Sequence, residues 1–90
     1  MAKQRHELKC RPNYFDATER GEKNFEVRRD DRGFQKGDEI ILIRTREDRQ
    51  TEIEYDYHGK KRTIQRTILY VLTGGQFGIE PGWVVLGLQE

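Results

Sequence analysis

The sequence predicts an α+β or small β-barrel fold with five or six strands and one short N-terminal helix. Most of the chain alternates polar and apolar residues with the period of a β-strand, whereas a single stretch after Pro12 carries the signals of a helix. With 90 residues, 33% of them hydrophobic and 37% charged, the chain can enclose one small core. Residues 1–90 therefore form one domain, and any binding site is a cleft at its surface.

A short strand and a short helix are predicted at the N-terminus. Residues 6–10 alternate as in a strand. Pro12 then suits the first turn of a helix, because proline has no backbone donor to lose there. Gly21 supplies the left-handed residue that commonly ends a helix, so the helix is expected over 12–20.

The next segment, 23–28, alternates as in a half-buried strand. Phe25 and Val27 point one way, which predicts that they face the core. Glu26 and Arg28 point the other way, toward solvent or a cleft.

Three further strands are predicted from apolar runs. The run at 40–43 is the best candidate for a central strand. The segment 63–72 alternates at first and becomes continuously apolar at 68–72, as expected where a strand enters the core. A last buried strand is predicted at 83–88, after turns rich in glycine.

A polar ribbon is predicted between the central strand and its successor. Residues 51–58 alternate with strand periodicity, and His58-Gly59 is a plausible hairpin turn. A two-residue turn would place two pairs opposite each other: Asp56 with Lys61, and Tyr55 with Arg62.

Cysteine and histidine usage argues against metal chemistry. Cys10 is the only cysteine, which excludes a disulfide framework and agrees with a reducing compartment. Cys10 is either a small buried hydrophobe or a thiolate activated by the helix dipole. His6 and His58 lie far apart and are expected at the surface or in turns, so we expect no metal and no cofactor.

The chain shows no signal for a membrane. No stretch approaches the ~20 apolar residues of a membrane helix, and residues 1–7 lack the apolar run of a signal peptide. We therefore expect a cytoplasmic protein. The sequence pI of about 7.9 lies below the value of about 9 that is typical of many nucleic-acid-binding domains, which argues against strong nonspecific duplex binding.

Lys23, Glu26 and Arg28 form the most suggestive polar group. They place an amine, a carboxylate and a guanidinium where the helix end meets a strand. Arg28 could fork onto a phosphate or a base edge, and Glu26 could accept a hydrogen bond from an exocyclic amine. The alternative is a surface ion-pair ladder, which is common in so charged a chain.

The glycine run at 74–78 has two interpretations. Its backbone N–H groups could cradle a phosphate or a carbonyl, or its glycines could simply permit a tight turn between strands. The ribbon also has two interpretations. Tyr55, Tyr57 and the basic residues 60–62 are typical of a nucleic-acid surface, but the acidic residues on 52–56 would repel phosphate.

Five segments taken together carry a family resemblance. They are His6-Glu7-Leu8-Lys9, Tyr14-Phe15-Asp16, Gly21-x-Lys23-x-x-Glu26-x-Arg28, Asp31-Arg32-Gly33-Phe34-Gln35-x-Gly37-Asp38 and Leu72-Thr73-Gly74-Gly75-Gln76-Phe77-Gly78-Ile79-Glu80-Pro81-Gly82-Trp83-Val84-Val85. This combination resembles the ASCH branch of the PUA-like superfamily, and within it the small bacterial and phage domains. The resemblance covers about 6–46 and 62–88, and residues 47–61 are a variable β-ribbon outside it.

The resemblance implies a small, partly open PUA-like β-barrel with the helix at one end and a cleft between the Lys23-Glu26-Arg28 element and the 74–78 loop. Because PUA-like domains are mostly RNA-binding modules, it implies RNA or nucleotide binding in that cleft, with Phe77 as a stacking surface. The residues expected to contact the ligand are Lys9, Lys23, Glu26, Arg28, Gly74, Gly75, Gln76 and Phe77.

Two other functions stay open. Small bacterial ASCH proteins include amidohydrolases that act on acylated cytidine with a lysine, a threonine nucleophile and a distal glutamate. Lys23 matches that lysine, but Glu26 occupies the threonine position, and a carboxylate does not simply replace a hydroxyl nucleophile. Glu80 is the one candidate for the distal glutamate. Alternatively, the acidic ribbon at 52–56 binds a partner protein.

Overall fold

The computed structural model describes residues 3–90 and contains one helix and five strands. In chain order these are β1 (Arg5–Cys10), α1 (Pro12–Glu19), β2 (Phe25–Arg29), β3 (Glu39–Arg44), β4 (Thr63–Thr73) and β5 (Trp83–Gln89). The strands form a single sheet that curls into a half-barrel, which confirms the small open barrel with one short helix. Within the described residues, no helix has the length and apolar character needed to cross a bilayer.

The order of strands in the sheet is β1-β3-β4-β5-β2. β1 runs parallel to β3, and the other neighbours are antiparallel. The run at 40–43 therefore lies in an interior strand, β3, while β4 occupies the middle of the sheet. β1 and β2 stand at the two ends, so each has one edge without a strand partner, and the two edges border the open side of the half-barrel.

The core fills the concave side of the sheet. Phe15 of α1 has no solvent-accessible surface, and Thr18, one turn later, is also buried, with its hydroxyl donating to the Tyr14 carbonyl. The sheet contributes the rest of one apolar cluster, namely Leu8, Cys10, Ile40, Leu42, Ile64, Ile68, Val84, Leu86 and Leu88, with Phe34 from the loop before β3. Gly21 adopts the expected left-handed conformation after α1, with φ of +79°.

The apolar face of β2 does not lie where hydrophobicity predicts, whereas Glu26 and Arg28 face a cleft as predicted. Phe25 and Val27 are 43% and 49% exposed, and Glu26 is only 4% exposed. The expectation that the apolar residues face the core is wrong, because Glu26 is compensated by two cations whereas the apolar side chains lie on the outer face of an edge strand.

The ribbon at 47–61 does not form the predicted strand pair. It has two isolated bridges, Thr45 with Ile53 and Tyr55 with Lys61. The turn is longer than two residues and the register differs by one from the prediction, because the Asp56 carboxylate accepts hydrogen bonds from the backbone N–H groups of His58 and Lys60. This local side-chain turn outcompetes the tight His58-Gly59 hairpin.

A β-bulge interrupts β4 at the point where a continuously buried run was predicted. Ile68 pairs with Leu88 and Tyr70 with Gly87, so Leu69 is an extra residue on β4. Leu69 and Tyr70 are consequently 47% and 64% exposed, and the prediction that this run is buried throughout is wrong.

His6 is part of a buried polar pair rather than a surface or turn residue. Its Nε2 lies 3.0 Å from Asp38 Oδ2, and both side chains are at most 6% exposed. Burial opposes ionisation of Asp38, but hydrogen bonds from His6 and from the backbone N–H groups of Gln4 and Gln35 outweigh it and lower the pKa of that carboxyl. The pair joins the starts of β1 and β3. His58 is exposed in the ribbon turn, as expected.

Candidate functional site

A groove of about 380 Å³ occupies the open side of the half-barrel. Its lining comes from β1, the start of α1, β2, the loop after β2 and the start of β5. The lining residues are Leu8, Lys9, Cys10, Arg11, Tyr14, Glu26, Val27, Arg28, Arg29, Asp31, Arg32, Phe34 and Trp83. This volume lies in the range of small-ligand pockets in proteins.

One wall of the groove is the free edge of β1. The Gln4 carbonyl accepts a hydrogen bond from Glu39 N–H, and the Cys10 carbonyl accepts one from Thr45 N–H. The backbone groups of the even-numbered residues of β1 therefore point toward β3. The backbone groups of Glu7 and Lys9 therefore face the groove. Their carbonyl oxygens accept hydrogen bonds from side chains across the gap: the Lys9 carbonyl from Arg28 (2.7 Å) and the Glu7 carbonyl from Arg32 (2.8 Å).

The opposite wall is the free edge of β2. The Asn24 carbonyl accepts from Leu88 N–H, and Asp30 N–H donates to the Gly82 carbonyl, so the even residues are paired with β5 and its flanks. The backbone groups of the odd residues, Val27 among them, face the groove. Lys23 Nζ donates to the carbonyl of Phe25 at 2.6 Å, just as Arg28 and Arg32 donate to carbonyls of β1.

Glu26 is a buried carboxylate on the inner side of this groove. Its Oε1 accepts from Lys23 Nζ and its Oε2 from Arg28 Nε, each at 3.0 Å. The side chain of Glu26 is 6% exposed, against 16% for Lys23 and 25% for Arg28. The arrangement is thus a partly buried ion-pair triad with its carboxylate at the bottom, and not an exposed ion-pair ladder.

Cys10 lies beside this triad, with Sγ 4.0 Å from Glu26 Oε1. Burial raises the pKa of the Cys10 thiol to about 11, and the negative charge of Glu26 adds to the increase, while Arg28 and Lys23 oppose it. The thiol is protonated at neutral pH, which supports the interpretation of Cys10 as a buried hydrophobe and not as a nucleophile.

The groove carries an excess of positive charge. Five basic side chains line it, and two acidic ones, Glu26 and Asp31. Three aromatic side chains, Tyr14, Phe34 and Trp83, also contribute to the lining. Arg29 lies over Trp83, with its guanidinium carbon 5.5 Å from the ring centroid. Cations beside aromatic rings suit a ligand that is both anionic and planar.

The structure brings four of the predicted ligand residues together. Lys9, Glu26 and Arg28 line the groove, and Lys23 is bonded to Glu26. Lys9 Nζ also donates to the Thr51 carbonyl of the ribbon, at 2.9 Å. Sequence reasoning did not single out Arg29, Arg32 or Trp83 as ligand residues; the predicted strand ended at 28, whereas β2 extends to Arg29.

The other predicted residues, on the glycine-rich loop, do not line this groove. Gly74 N–H donates to the Trp83 carbonyl and Gly75 N–H to the Ile79 carbonyl, both at 2.7 Å. Both N–H groups are thus used within the protein, which supports the turn interpretation of the glycines. A Cβ on Gly74 would lie 1.9 Å from the Glu80 carbonyl oxygen, so only glycine fits there. Gln76 bonds to the Thr73 carbonyl.

The acidic part of the ribbon is largely engaged in internal contacts. Glu54 accepts from Arg44 and Asp56 from its own turn. Glu52 lies 3.5 Å from Arg49. The aromatic side chains are freer, with Tyr57 97% exposed. Within residues 3–90, no group of three His, Cys, Asp or Glu side chains has the arrangement of a metal site.

In a comparison with known protein families, a family model matches residues 5–88, the ribbon included. The chain belongs to the family described as Domain of unknown function (DUF3850). No curated protein matches the chain.

Proposed function

We propose that this member of the DUF3850 family is a PUA-like module that binds RNA or a nucleotide in the groove between β1 and β2. The observation that carries the proposal is the buried Glu26 carboxylate, held between Lys23 and Arg28 at the inner end of a groove whose rim is basic. The resemblance to the ASCH branch supports RNA as the polymer.

The basic rim provides the phosphate contacts. Arg29 and Arg32 are exposed, and neither is bonded to Glu26. Guanidinium groups match phosphate oxygens geometrically and remain charged at any physiological pH. In the free protein Arg29 contacts the Trp83 ring, and Arg32 contacts the Glu7 carbonyl and lies 4.0 Å from the exposed Asp31 carboxylate, so both arginines have hydrogen-bond donors left for a phosphate at the rim.

Glu26 provides the base contact. A carboxylate has about four acceptor positions; Lys23 and the Cys10 thiol donate to Oε1 and Arg28 to Oε2. The remaining position, on Oε2, can accept a hydrogen bond from the exocyclic amine of a base, a pairing that carboxylates make with cytosine. The hydrogen bonds from the two cations fix the carboxylate in one rotamer, so that the acceptor is preorganised.

The groove favours binding over amide hydrolysis. No serine or threonine is among its lining residues, and Cys10 is a protonated thiol. The ammonium group of Lys23 is directed at Glu26 and at the Phe25 carbonyl, so it is not placed to act as a free base. Glu80 lies in a separate notch beyond Trp83.

The test is a fluorescence anisotropy titration of labelled single-stranded RNA, hairpin RNA and duplex DNA. Arg29→Gln and Arg32→Gln should each weaken RNA binding at least fivefold, because a lost phosphate contact costs about 1 kcal/mol or more. Each should also lower the slope of log affinity against log salt by about one. The matched control is Arg5→Gln. Arg5 lies outside the groove and its side chain is 62% exposed, so this variant should bind RNA as tightly as the wild type does.

Two results would contradict the proposal. One is the absence of saturable RNA binding at low salt. The other is equal loss of affinity in the control and groove variants, which would indicate nonspecific charge. The role of Glu26 is tested separately with homopolymers: cytosine-bearing RNA should bind more tightly than uracil-bearing RNA, since uracil has no exocyclic amine. Equal affinities would remove Glu26 from base recognition.

A further inference from the structure

The hairpin at residues 76–79 has an unfavourable residue at its tip. Gln76 and Ile79 form a bridge, and Ile79 N–H donates to the Gln76 carbonyl at 2.9 Å. Phe77 and Gly78, the two residues of the turn, have φ of +53° and +77°. These values are those of a type I′ turn, which favours Asn-Gly. Phe77 is the single non-glycine residue of positive φ among residues 3–90.

Packing within the protein does not compensate this strained backbone. The Phe77 side chain is 84% exposed. A bulky residue with positive φ is uncommon and destabilising, and where such strain persists it often marks a functional position. An aromatic ring held at the tip of a tight, short hairpin is well suited to stack on a planar group from outside.

A second cavity lies beneath this hairpin. It has a volume of about 330 Å³ and is lined by Val27, Gly78, Ile79, Glu80 and Trp83. Val27 and Trp83 also line the groove, so the two cavities share a border. By strand alternation these two residues lie on the outer face of the sheet, opposite to Glu26, so the path from groove to notch passes over the free edge of β2.

A positive charge stands at the shared border. Arg29 is opposite Trp83 in the β2–β5 register and lies over its indole ring. A dinucleotide has the same succession of groups as this surface: a base, a phosphodiester and a second base. The order here is a polar groove with a carboxylate acceptor, an arginine, and a notch that is lined mainly by apolar residues, with Glu80 as its one charged residue, beside the hairpin that carries the exposed Phe77 ring.

We infer that the notch is a second base subsite, and that the ligand of this protein is a single-stranded RNA segment of at least two nucleotides rather than a mononucleotide. The inference rests on the proposed function. One base enters the groove toward Glu26, the linking phosphate contacts Arg29, and the following base lies in the notch against Trp83 and Ile79, with Phe77 stacking on its outer side.

The experiment is a competition assay in which unlabelled CMP or the dinucleotide CpC displaces a labelled eight-nucleotide single-stranded RNA. The variant is Phe77→Asn, which places the residue preferred by a type I′ turn at the tip. Tyr57→Asn is the matched control, because Tyr57 is an even more exposed aromatic residue in another turn. Thermal unfolding of each protein is recorded in parallel.

Wild-type protein should bind CpC at least tenfold more tightly than CMP. Phe77→Asn should weaken CpC binding at least fivefold, the lower end of the range for base–aromatic stacking, and leave CMP binding unchanged. Its unfolding temperature should equal or exceed that of the wild type, since the turn is relieved of strain. Tyr57→Asn should leave both affinities unchanged.

The outcomes separate the inference from the function on which it rests. If CMP binds and depends on Arg32, but CpC binds no better or Phe77→Asn has no effect on CpC, the second subsite is refuted and the proposed function stands. If Phe77→Asn weakens CMP and CpC equally, Phe77 belongs to the first subsite and the inference is wrong. If neither compound displaces the RNA, the inference and the groove as a nucleotide site both fail.

Discussion

Replacing Arg44 with methionine should remove the strongest polar link between the helix, the sheet and the ribbon. Arg44 is on β3, and its side chain is 8% exposed. It donates two hydrogen bonds to Asp16 of α1, at 3.0 and 3.1 Å, and one to Glu54 of the ribbon at 2.8 Å. Methionine keeps the apolar stem and loses all three bonds.

The expected cost of this substitution is about 2–4 kcal/mol. Three charge-assisted bonds at about 1.5–3 kcal/mol each set an upper limit of about 4.5–9 kcal/mol. The actual loss is smaller, because Asp16 and Glu54 are about one-third exposed and regain water, and because the desolvation of the guanidinium is recovered. For a domain of this size the unfolding temperature should fall by roughly 10–25 °C.

The assay is urea unfolding followed by circular dichroism, with Arg46→Met as the control. Arg46 makes the same paired contact with Asp48, at 3.0 and 2.8 Å, but its side chain is 45% exposed. Arg46→Met should leave the urea concentration at the unfolding midpoint essentially unchanged, because exposed ion pairs contribute little to the free energy of unfolding. Equal effects of the two substitutions would refute the reasoning that burial gives the Arg44 contact its strength.

The pH dependence gives an independent check on the same contact. The hydrogen bond from Arg44 is the largest cause that lowers the pKa of Asp16 below its ordinary value of 3.8. A lowered folded-state pKa contributes stability above the unfolded-state pKa and loses it as the pH falls. The difference in stability between wild type and Arg44→Met should therefore be constant from pH 7 to about 5 and should narrow below about 4.

Two further substitutions or modifications test the interpretation of the site's surroundings. Gly74→Ala should abolish cooperative unfolding or lower the unfolding temperature drastically, since a Cβ would lie 1.9 Å from the Glu80 carbonyl oxygen and 2.7 Å from that of Trp83; Gly87→Ala, whose Cβ would meet ordinary contacts at 3.7 Å or more, is the control and should fold. Cys10 should react with a thiol reagent at pH 8 much more slowly in native than in urea-unfolded protein, because its native pKa is about 11, and equal rates would show that the thiol is neither buried nor protonated.

Local sequence signals predicted the elements well. Proline at the first turn and glycine after the last placed α1 to within one residue, and the apolar runs located β3, β4 and β5. These signals depend on steric properties of single residues and on short-range periodicity. The order of the strands in the sheet does not follow from these local signals, because the parallel pairing of β1 with β3 joins residues more than 30 positions apart.

The errors arose where a partner distant in sequence decides burial. Alternation assigned Phe25 to the core, but Glu26 faces inward because Lys23 and Arg28 neutralise it. His6 was predicted at the surface, but it is buried, because its ring has a hydrogen-bond partner in Asp38, 32 residues later. The structure brings Lys23, Glu26 and Arg28 together, but the wall opposite β2 is β1 and not the predicted 74–78 loop, since nothing in the local pattern indicates that β1 lies opposite β2.

The open side of the half-barrel is bridged by side chains instead of backbone pairing, and this bears on the RNA binding that we propose. Arg28 and Arg32 occupy carbonyl oxygens of the β1 edge, and Lys23 occupies that of Phe25 on β2. A free strand edge can pair with the backbone of another strand, and that pairing uses N–H donors and carbonyl acceptors in equal number on the free edge. Here several acceptors are already taken by cations while the arginines and the backbone N–H groups remain donors. Addition of a peptide strand would have to displace those cations from their carbonyls. A ligand rich in acceptor oxygens can bind to the same cations directly, and the phosphates and base carbonyls of RNA are such groups.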